Sequence, residues 1–443
     1  MTTAGNQRRR VAITGLGVIC PLGNSVGALW DALRAGRSGV DRLSQLPPLE
    51  NRVAFGAEAQ EFTGEIDNFG PLSKDRKKTI RKALKVMCRE TMMAVAAAQH
   101  AVTDAGYHEA PMDPERSGVV FGSDYMLSPP EDFIDGMTKC GAGSGKLDYP
   151  RWGGDGLREM NPLWMLKYLP NMPGSHIAIF NDFRGPNNSL TLREVSGLMA
   201  IREAARTIER GHADTMIAGA TGTRIHSFKT IHALQQEQLA NPDCRPAQAS
   251  RPFDAQRTGM VVGEGAGAVL LEELALARQR GATIYGEVLG TGSSIATDVN
   301  LNGKPAVALA NAARTALAES RVPVSELGHV NAHGLGTTAS DQMEAQVLNE
   351  VLDPHTESVP VVAAKSYFGN LGAGSGVVEL AASAKALQQR CLFRTLNFES
   401  PDPEAPRLAV TTDAATPSGD SFLKVSVTPQ AQAVALVFAR VQD

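Results

Sequence analysis

Two Ala- and Gly-rich amphipathic stretches, residues 196–209 and 376–389, recur at matching places along the chain, and they restrict its fold more than any other feature. Leu198, Ile201, Ala204 and Ile208 repeat at three- and four-residue spacing in the first. Val377, Leu380, Ala384 and Leu387 do so in the second, so both read as helices with an apolar stripe. Each follows the same series. The first series is a strand at Val11–Val18, a helix through Leu84–Ala105, a strand at Gly118–Gly122, the helix Ser196–Glu209 and a strand at Thr215–Ala218. The second is a strand at Ile284–Leu289, a helix at Val307–Glu319, a strand at His329–Asn331, the helix Gly376–Gln389 and a strand at Phe422–Val427, with another at Val434–Ala439. Alternating strands and helices predict an α/β architecture. The repetition predicts two duplicated units, residues 1–277 and 278–443, packed around a shared pair of central helices. Residues 123–169 break the pattern: they carry Pro, Gly, Trp152 and Trp164 with little periodicity. They read as an insertion capping one end of the core, either as packing or as a dimer or tunnel element.

Composition narrows the class. At 443 residues the chain is long enough for a large buried core. A net charge of −4 gives no reason to expect nucleic-acid binding. The five cysteines (Cys20, Cys88, Cys140, Cys244, Cys391) are scattered, without a CxxC or Cys/His cluster. Neither a disulfide framework nor a metal site is expected, and a reducing cytoplasm is. The basic start MTTAGNQRRR reads as a short tail before the first strand, not a targeting segment. No stretch approaches the roughly 18 consecutive apolar residues of a membrane span.

Five stretches carry a resemblance. They are RRRVAITGLGVICPLGNSVGALWDALRAGRSGV, AIREAARTIERGHADTMIAGAT, ASRPFDAQRTGMVVGEGAGAVLLEELALARQRGATIYGEVLG, VNAHGLGTTASDQMEA and AAKSYFGNLGAGSG. In this order they resemble the β-ketoacyl-acyl-carrier-protein synthases of fatty-acid and polyketide assembly. The resemblance spans nearly the whole chain. It implies a dimer of thiolase-like subunits, each a five-layer αβαβα sandwich, which agrees with the two duplicated halves.

That chemistry makes three demands. An activated thiolate at a helix N-terminus takes the acyl chain from its pantetheine arm. Two imidazoles assist decarboxylation of the malonyl carrier. Backbone N–H groups hold the thioester oxyanion. By resemblance the nucleophile position is Glu194, in LREVSGLMA. A carboxylate there would give a mixed anhydride in place of a thioester. The first imidazole is His333, but the second position holds Asn370, which can donate a hydrogen bond yet cannot carry a proton. Lys365 is retained, Phe368 precedes the second position, and Asp341 and Glu344 match supporting carboxylates. Of two hydroxyls that hold pantetheine in the family, Thr337 remains and Leu335 replaces the other. Pro429 stands in the family's flexible gating loop, and Pro has no N–H to offer an oxyanion.

Glu194 is therefore expected at the start of a central helix, within ~4 Å of His333 or Lys365. No cofactor is expected beyond the phosphopantetheine of an acyl carrier protein or CoA. The basic run Lys74, Arg76, Lys77, Lys78, Arg81, Lys82 and Lys85 is a solvated helical face or a docking surface for an acidic carrier protein. Three functions stay open. The first is a partner subunit resembling chain-length factors, in a heterodimer with an active ketosynthase. The second is a malonyl decarboxylase or other altered acyl-thioester enzyme. The third is an acyl-carrier or acyl-CoA binding homodimer.

Overall fold

The computed structural model describes residues 8–46, 53–110 and 113–442. The first half supplies strands β1 (Val11–Ile19), β2 (Ser117–Ser123), β3 (Asn187–Leu190), β4 (Thr215–Thr223) and β5 (Glu264–Glu273). Its main helices are α1 (Arg89–Asp104), α2 (Met172–Asn181) and α3 (Ser196–Glu209). The second half supplies β6 (Gly286–Ile295), β7 (His329–Asn331), β8 (Val361–Val362), β9 (Ser421–Val427) and β10 (Gln432–Ala439). Its helices are α4 (Pro305–Ser320), α5 (Thr338–Leu352) and α6 (Ser375–Gln389).

The strands run in the order β8-β7-β9-β10-β6-β1-β5-β4-β2-β3. In the first half β3/β2 and β2/β4 are parallel, whereas β4/β5 and β5/β1 are antiparallel. In the second half β8/β7 and β7/β9 are parallel, whereas β9/β10 and β10/β6 are antiparallel. The halves thus share one topology, and their strands pair with each other where Ala12 and Ile13 meet Glu287 and Gly286. Each half also holds a helix and a short strand that the alternating pattern does not mark, α2 and β3 in the first and α5 and β8 in the second. Strand β5 is likewise a full strand that the periodicity does not mark.

Side-chain alternation separates five layers. Val119, Phe121 and Ile217 point outward onto α1 and α2, and Val120, Met216 and Ala218 point inward. Leu423, Val425 and Val427 face α4 and α5, while Phe422 turns to the centre. Helices α3 and α6 fill the middle, and α6 is buried along twelve of its fifteen residues. Small residues allow this density. Gly15 and Gly17 of β1 lie where a Cβ would overlap the carbonyls of Ala101 and Ala97 on α1. Gly290 and Gly292 of β6 meet Ala316 and Ala312 of α4 in the same way. The predicted thiolase-like five-layer arrangement is therefore the observed one.

Residues 124–171 join β2 to α2, where the equivalent connection between β7 and α5 is residues 332–337 alone. This is the expected insertion. It folds as short helices around Phe133, whose ring packs on Trp152 and Trp164. The helix expected from Leu84 begins at Arg89, because the chain is extended at Cys88 after a separate 3-10 turn, Leu84–Val86. Among the described residues no helix is long and apolar enough to cross a membrane.

Candidate active site

The two central helices begin with matching turns. Residues 192–197 (LREVSG) form a 3-10 turn that enters α3, and residues 371–376 (LGAGSG) form one that enters α6. In each, the leucine N–H donates to the serine hydroxyl four residues on, Leu192 to Ser196 and Leu371 to Ser375, both at 2.9 Å. In each, the residue after leucine is left-handed: Arg193 at φ 53° and Gly372 at φ 61°. Glycine adopts that backbone freely, whereas for arginine it costs on the order of 1 kcal/mol.

Glu194 sits in the first turn and is buried to 2% exposure. Its carboxylate forms an ion pair with Arg224, which follows β4. Asn370 Nδ2 donates to it at 3.1 Å, and Arg193 Nε lies 3.5 Å away. Burial alone pushes the Glu194 carboxyl up. The guanidinium of Arg224, then Arg193 and the Asn370 hydrogen bond, outweigh burial and hold it well below the usual carboxylate range. Its place at the N-terminus of α3 favours the same charge. Glu194 is therefore an ionised acceptor and not a donor. Asp124 lies 4.0 Å from Arg224 on the other side. Burial, opposed by Arg224, raises the Asp124 carboxyl above its ordinary range.

Asn370 is fixed on every side. Its backbone bridges to the segment leading into β5 through Val261 and Gly263. Its Oδ1 accepts from Gly372 N at 3.0 Å, capping the turn into α6. The amide therefore ties both helix starts together, a task a protonating imidazole would not share.

His333 and Lys365 form a second cluster. Lys365 Nζ donates to the His333 carbonyl at 2.7 Å, lies 3.5 Å from His333 Nδ1 and pairs with Glu379 at 2.6 Å. Lys424 completes the group from β9 by pairing with the same Glu379. Burial, then the charges of Lys365 and Lys424, push the His333 imidazole well below its ordinary range, so it is neutral. Burial likewise pulls Lys424 down to about 8, against the attraction of Glu379. The loop 333–336 hangs from two carboxylates of α5. Glu344 accepts from His333 N and Gly334 N at 2.6 and 2.8 Å, and Asp341 accepts from Leu335 N and Gly336 N at 3.0 and 3.1 Å. Burial raises Glu344 to about 7 and Asp341 to about 6, against these donors.

The expected contact of Glu194 with Lys365 or His333 is absent. Its ion pairs within 4 Å are to Arg224 and Arg193. Lys365 is engaged instead with Glu379 and the His333 carbonyl. Arg224, Glu379 and Lys424 carry the site's electrostatics, and none of them is among the expected site residues. Each has a signal: a charge inside or directly after an apolar element, as in TMIAGATGTR, SGVVELAAS and SFLKVSV. Phe368, expected at the substrate position, is fully buried in the central core.

A pocket of about 280 Å³ opens beside this site. His333, Leu335, Thr337, Met343, Glu237 and Pro429 are among its walls, so Leu335 and Thr337, the two positions expected at pantetheine, stand there beside His333. Pro429 belongs to the tight turn between β9 and β10, where Thr428 N donates to Gln432 O at 2.8 Å. Glu194, Lys365 and Asn370 do not line the pocket.

The layered fold with a site at the starts of two central helices defines a thiolase-like protein. The β-ketoacyl synthase N-terminal domain matches residues 8–277 and the C-terminal domain residues 285–399, so the chain belongs to the β-ketoacyl synthase family. It is 31% identical over 402 residues to 3-oxoacyl-[acyl-carrier-protein] synthase 2 of Coxiella burnetii, covering 89% of this chain and 90% of that one. It is 33% identical over 404 residues to the tetracenomycin polyketide synthase ketoacyl synthase alpha subunit of Streptomyces glaucescens, covering 89% of each. A β-ketoacyl synthase from Burkholderia phymatum superposes with a TM-score of 0.83 at 26% identity, over 98% of this chain and all of that one. The ishigamide ketosynthase/chain length factor does so with 0.80 at 25%, over the same shares.

Proposed function

We propose that this ketosynthase-family chain, of fatty-acid or polyketide biosynthesis, is a non-condensing subunit that pairs with an active ketosynthase, in the manner of a chain-length factor. One observation carries this reading: the expected nucleophile position holds an ionised Glu194 locked by Arg224 and Asn370. A carboxylate so neutralised is a poor nucleophile, and an acyl anhydride formed on it would lack the stability of a thioester. The likeness to a ketosynthase/chain length factor adds weight. A malonyl decarboxylase is the second reading, favoured by the retained His333 and Lys365. It needs a donor at position 194 to hold the enolate oxygen, and the Arg224 pair removes that capacity. The acyl-binding homodimer is the third. The substrate in each case is carried on the phosphopantetheine of an acyl carrier protein or CoA, and Leu335, Thr337 and His333 are the residues that would meet the arm.

The test is native mass spectrometry of the purified chain mixed with each Cys-containing ketosynthase of the same organism. A 1:1 heterodimer that elongates malonyl units, while the chain alone forms no acyl adduct, is expected. A stable homodimer that ignores the synthase would overturn the reading.

A further inference from the structure

His333 and Glu237 are walls of the pocket, and Glu237 is bound from behind by a side chain the expected machinery does not include. Arg193 reaches from the left-handed turn before α3 with its guanidinium held by two hydrogen bonds and one longer ion contact. Nη2 donates to Glu237 at 2.7 Å, Nη1 donates to Gln430 at 3.1 Å, and Nε faces Glu194 at 3.5 Å. Glu237 is itself a wall of the pocket, and Gln430 follows the wall residue Pro429. Arg193, itself outside the pocket's walls, therefore links the wall residue Glu237 on one side to the buried Glu194–Arg224 pair on the other. It retains 19% side-chain exposure where Glu194 retains 3%.

The backbone gives independent support. The turn that starts α6 has glycine at the equivalent left-handed position, Gly372. The chain keeps an arginine where glycine would fit without strain, and strain retained by a side chain with a fixed set of partners points to a task for that side chain.

We infer that Arg193, latched to Glu237 and Gln430, is a gate that seals the pocket from the Glu194 site, so that a thioester arm enters only as far as His333. The inference rests on the proposed reading of this pocket as the entry for such an arm. Arg193 acts by position and takes no part in chemistry.

A thiol placed behind the gate tests it. In E194C the introduced thiolate replaces the carboxylate as the partner of Arg224, and its labelling by iodoacetamide is followed by peptide mass spectrometry. Partly exposed Cys244 and Cys391 serve as references within the same molecule. Two changes on the E194C background open the gate. R193G suits the left-handed backbone, and E237A removes the acceptor that latches Arg193 without touching that turn. Each is expected to speed labelling of the introduced thiol at least tenfold while Cys244 and Cys391 keep their rates. Equal rates at position 194 with the gate intact and opened would overturn the inference, as would fast labelling in E194C alone. Circular dichroism and melting curves on the same samples show that each variant is folded. Labelling reports passage and not turnover or pairing, so the gate and the proposed function fail or stand separately.

Discussion

Replacing Glu194 by Gln removes one charge and almost no volume. The amide oxygen still accepts from Arg224 and Asn370, so the loss is electrostatic. Arg224 is then a buried cation, 3% exposed, whose nearest remaining carboxylate is Asp124 at 4.0 Å. Breaking a buried ion pair from one side costs ~3–5 kcal/mol, and the neighbouring Asp124 offsets part of this, which places the loss at about 3 kcal/mol. Melting entropy of ~2.1 cal/mol/K per residue over 443 residues makes that roughly 3 °C in Tm if the chain unfolds as one unit. Arg224→Gln costs a similar amount, because it leaves a buried carboxylate. The double variant restores neutrality, so the double-mutant cycle closes with a coupling energy of about 2 kcal/mol or more. The pH dependence has a definite sign. The folded-state pKa of Glu194 lies below its ordinary value of 4.5, so its stabilisation is complete above that pH and fades as the pH falls below it. The Tm difference between wild type and E194Q is therefore full at pH 7 and shrinks towards pH 3. Differential scanning calorimetry of the four proteins measures this. Additive losses, or an E194Q Tm within about 0.5 °C of wild type, would refute the view that a buried ion pair fills the nucleophile position.

Three further outcomes are expected. His333 is held well below its ordinary value of 6.5, so its imidazole nitrogens keep neutral-form NMR shifts as the pH passes below 6.5, and stability falls over that range, a slope that His333→Gln flattens. Glu194→Cys alone will not restore condensation in a radiolabelled malonyl-elongation assay, because Asn370 and the Pro429 turn remain; efficient elongation would show that these two departures matter little. Reversing Arg81 and Lys82, both exposed on the basic helix Lys74–Ala83, should weaken acyl-carrier-protein association several-fold at low salt and less at high salt in surface-plasmon titrations; no change would leave that face as plain solvated surface.

Much of this molecule can be read from its sequence, and the limits have physical causes. The helices Ser196–Glu209 and Gly376–Gln389 declare themselves because they lie between the two halves of the sheet and bury a wide apolar surface. Strand Asn187–Leu190 does not, since its four polar-leaning residues sit at a sheet edge, and Val361–Val362 is too short to show a period. The turns LREVSG and LGAGSG encode the duplication at single-residue level, yet the shared features are a backbone conformation and one serine hydrogen bond, which no periodicity registers. In the site, Glu194, His333, Lys365 and Asn370 come from resemblance; the structure brings Glu194 and Asn370 together at the helix starts and puts His333 and Lys365 in a separate cluster. The partner of Glu194 is not legible in the sequence, because pairing depends on which cations are already neutralised. Lys365 is committed to Glu379 across an otherwise apolar helix, and Arg224 arrives from a strand end about thirty positions away in sequence.

The measurement closest to the central claim is intact-mass analysis of malonyl- and acyl-carrier protein incubated with the purified chain alone. The Glu194–Arg224 site should leave both carriers unchanged and form no acyl adduct on the chain. Conversion of malonyl- to acetyl-carrier that disappears in Glu194→Ala and His333→Ala would contradict the account and make this chain a decarboxylase in its own right.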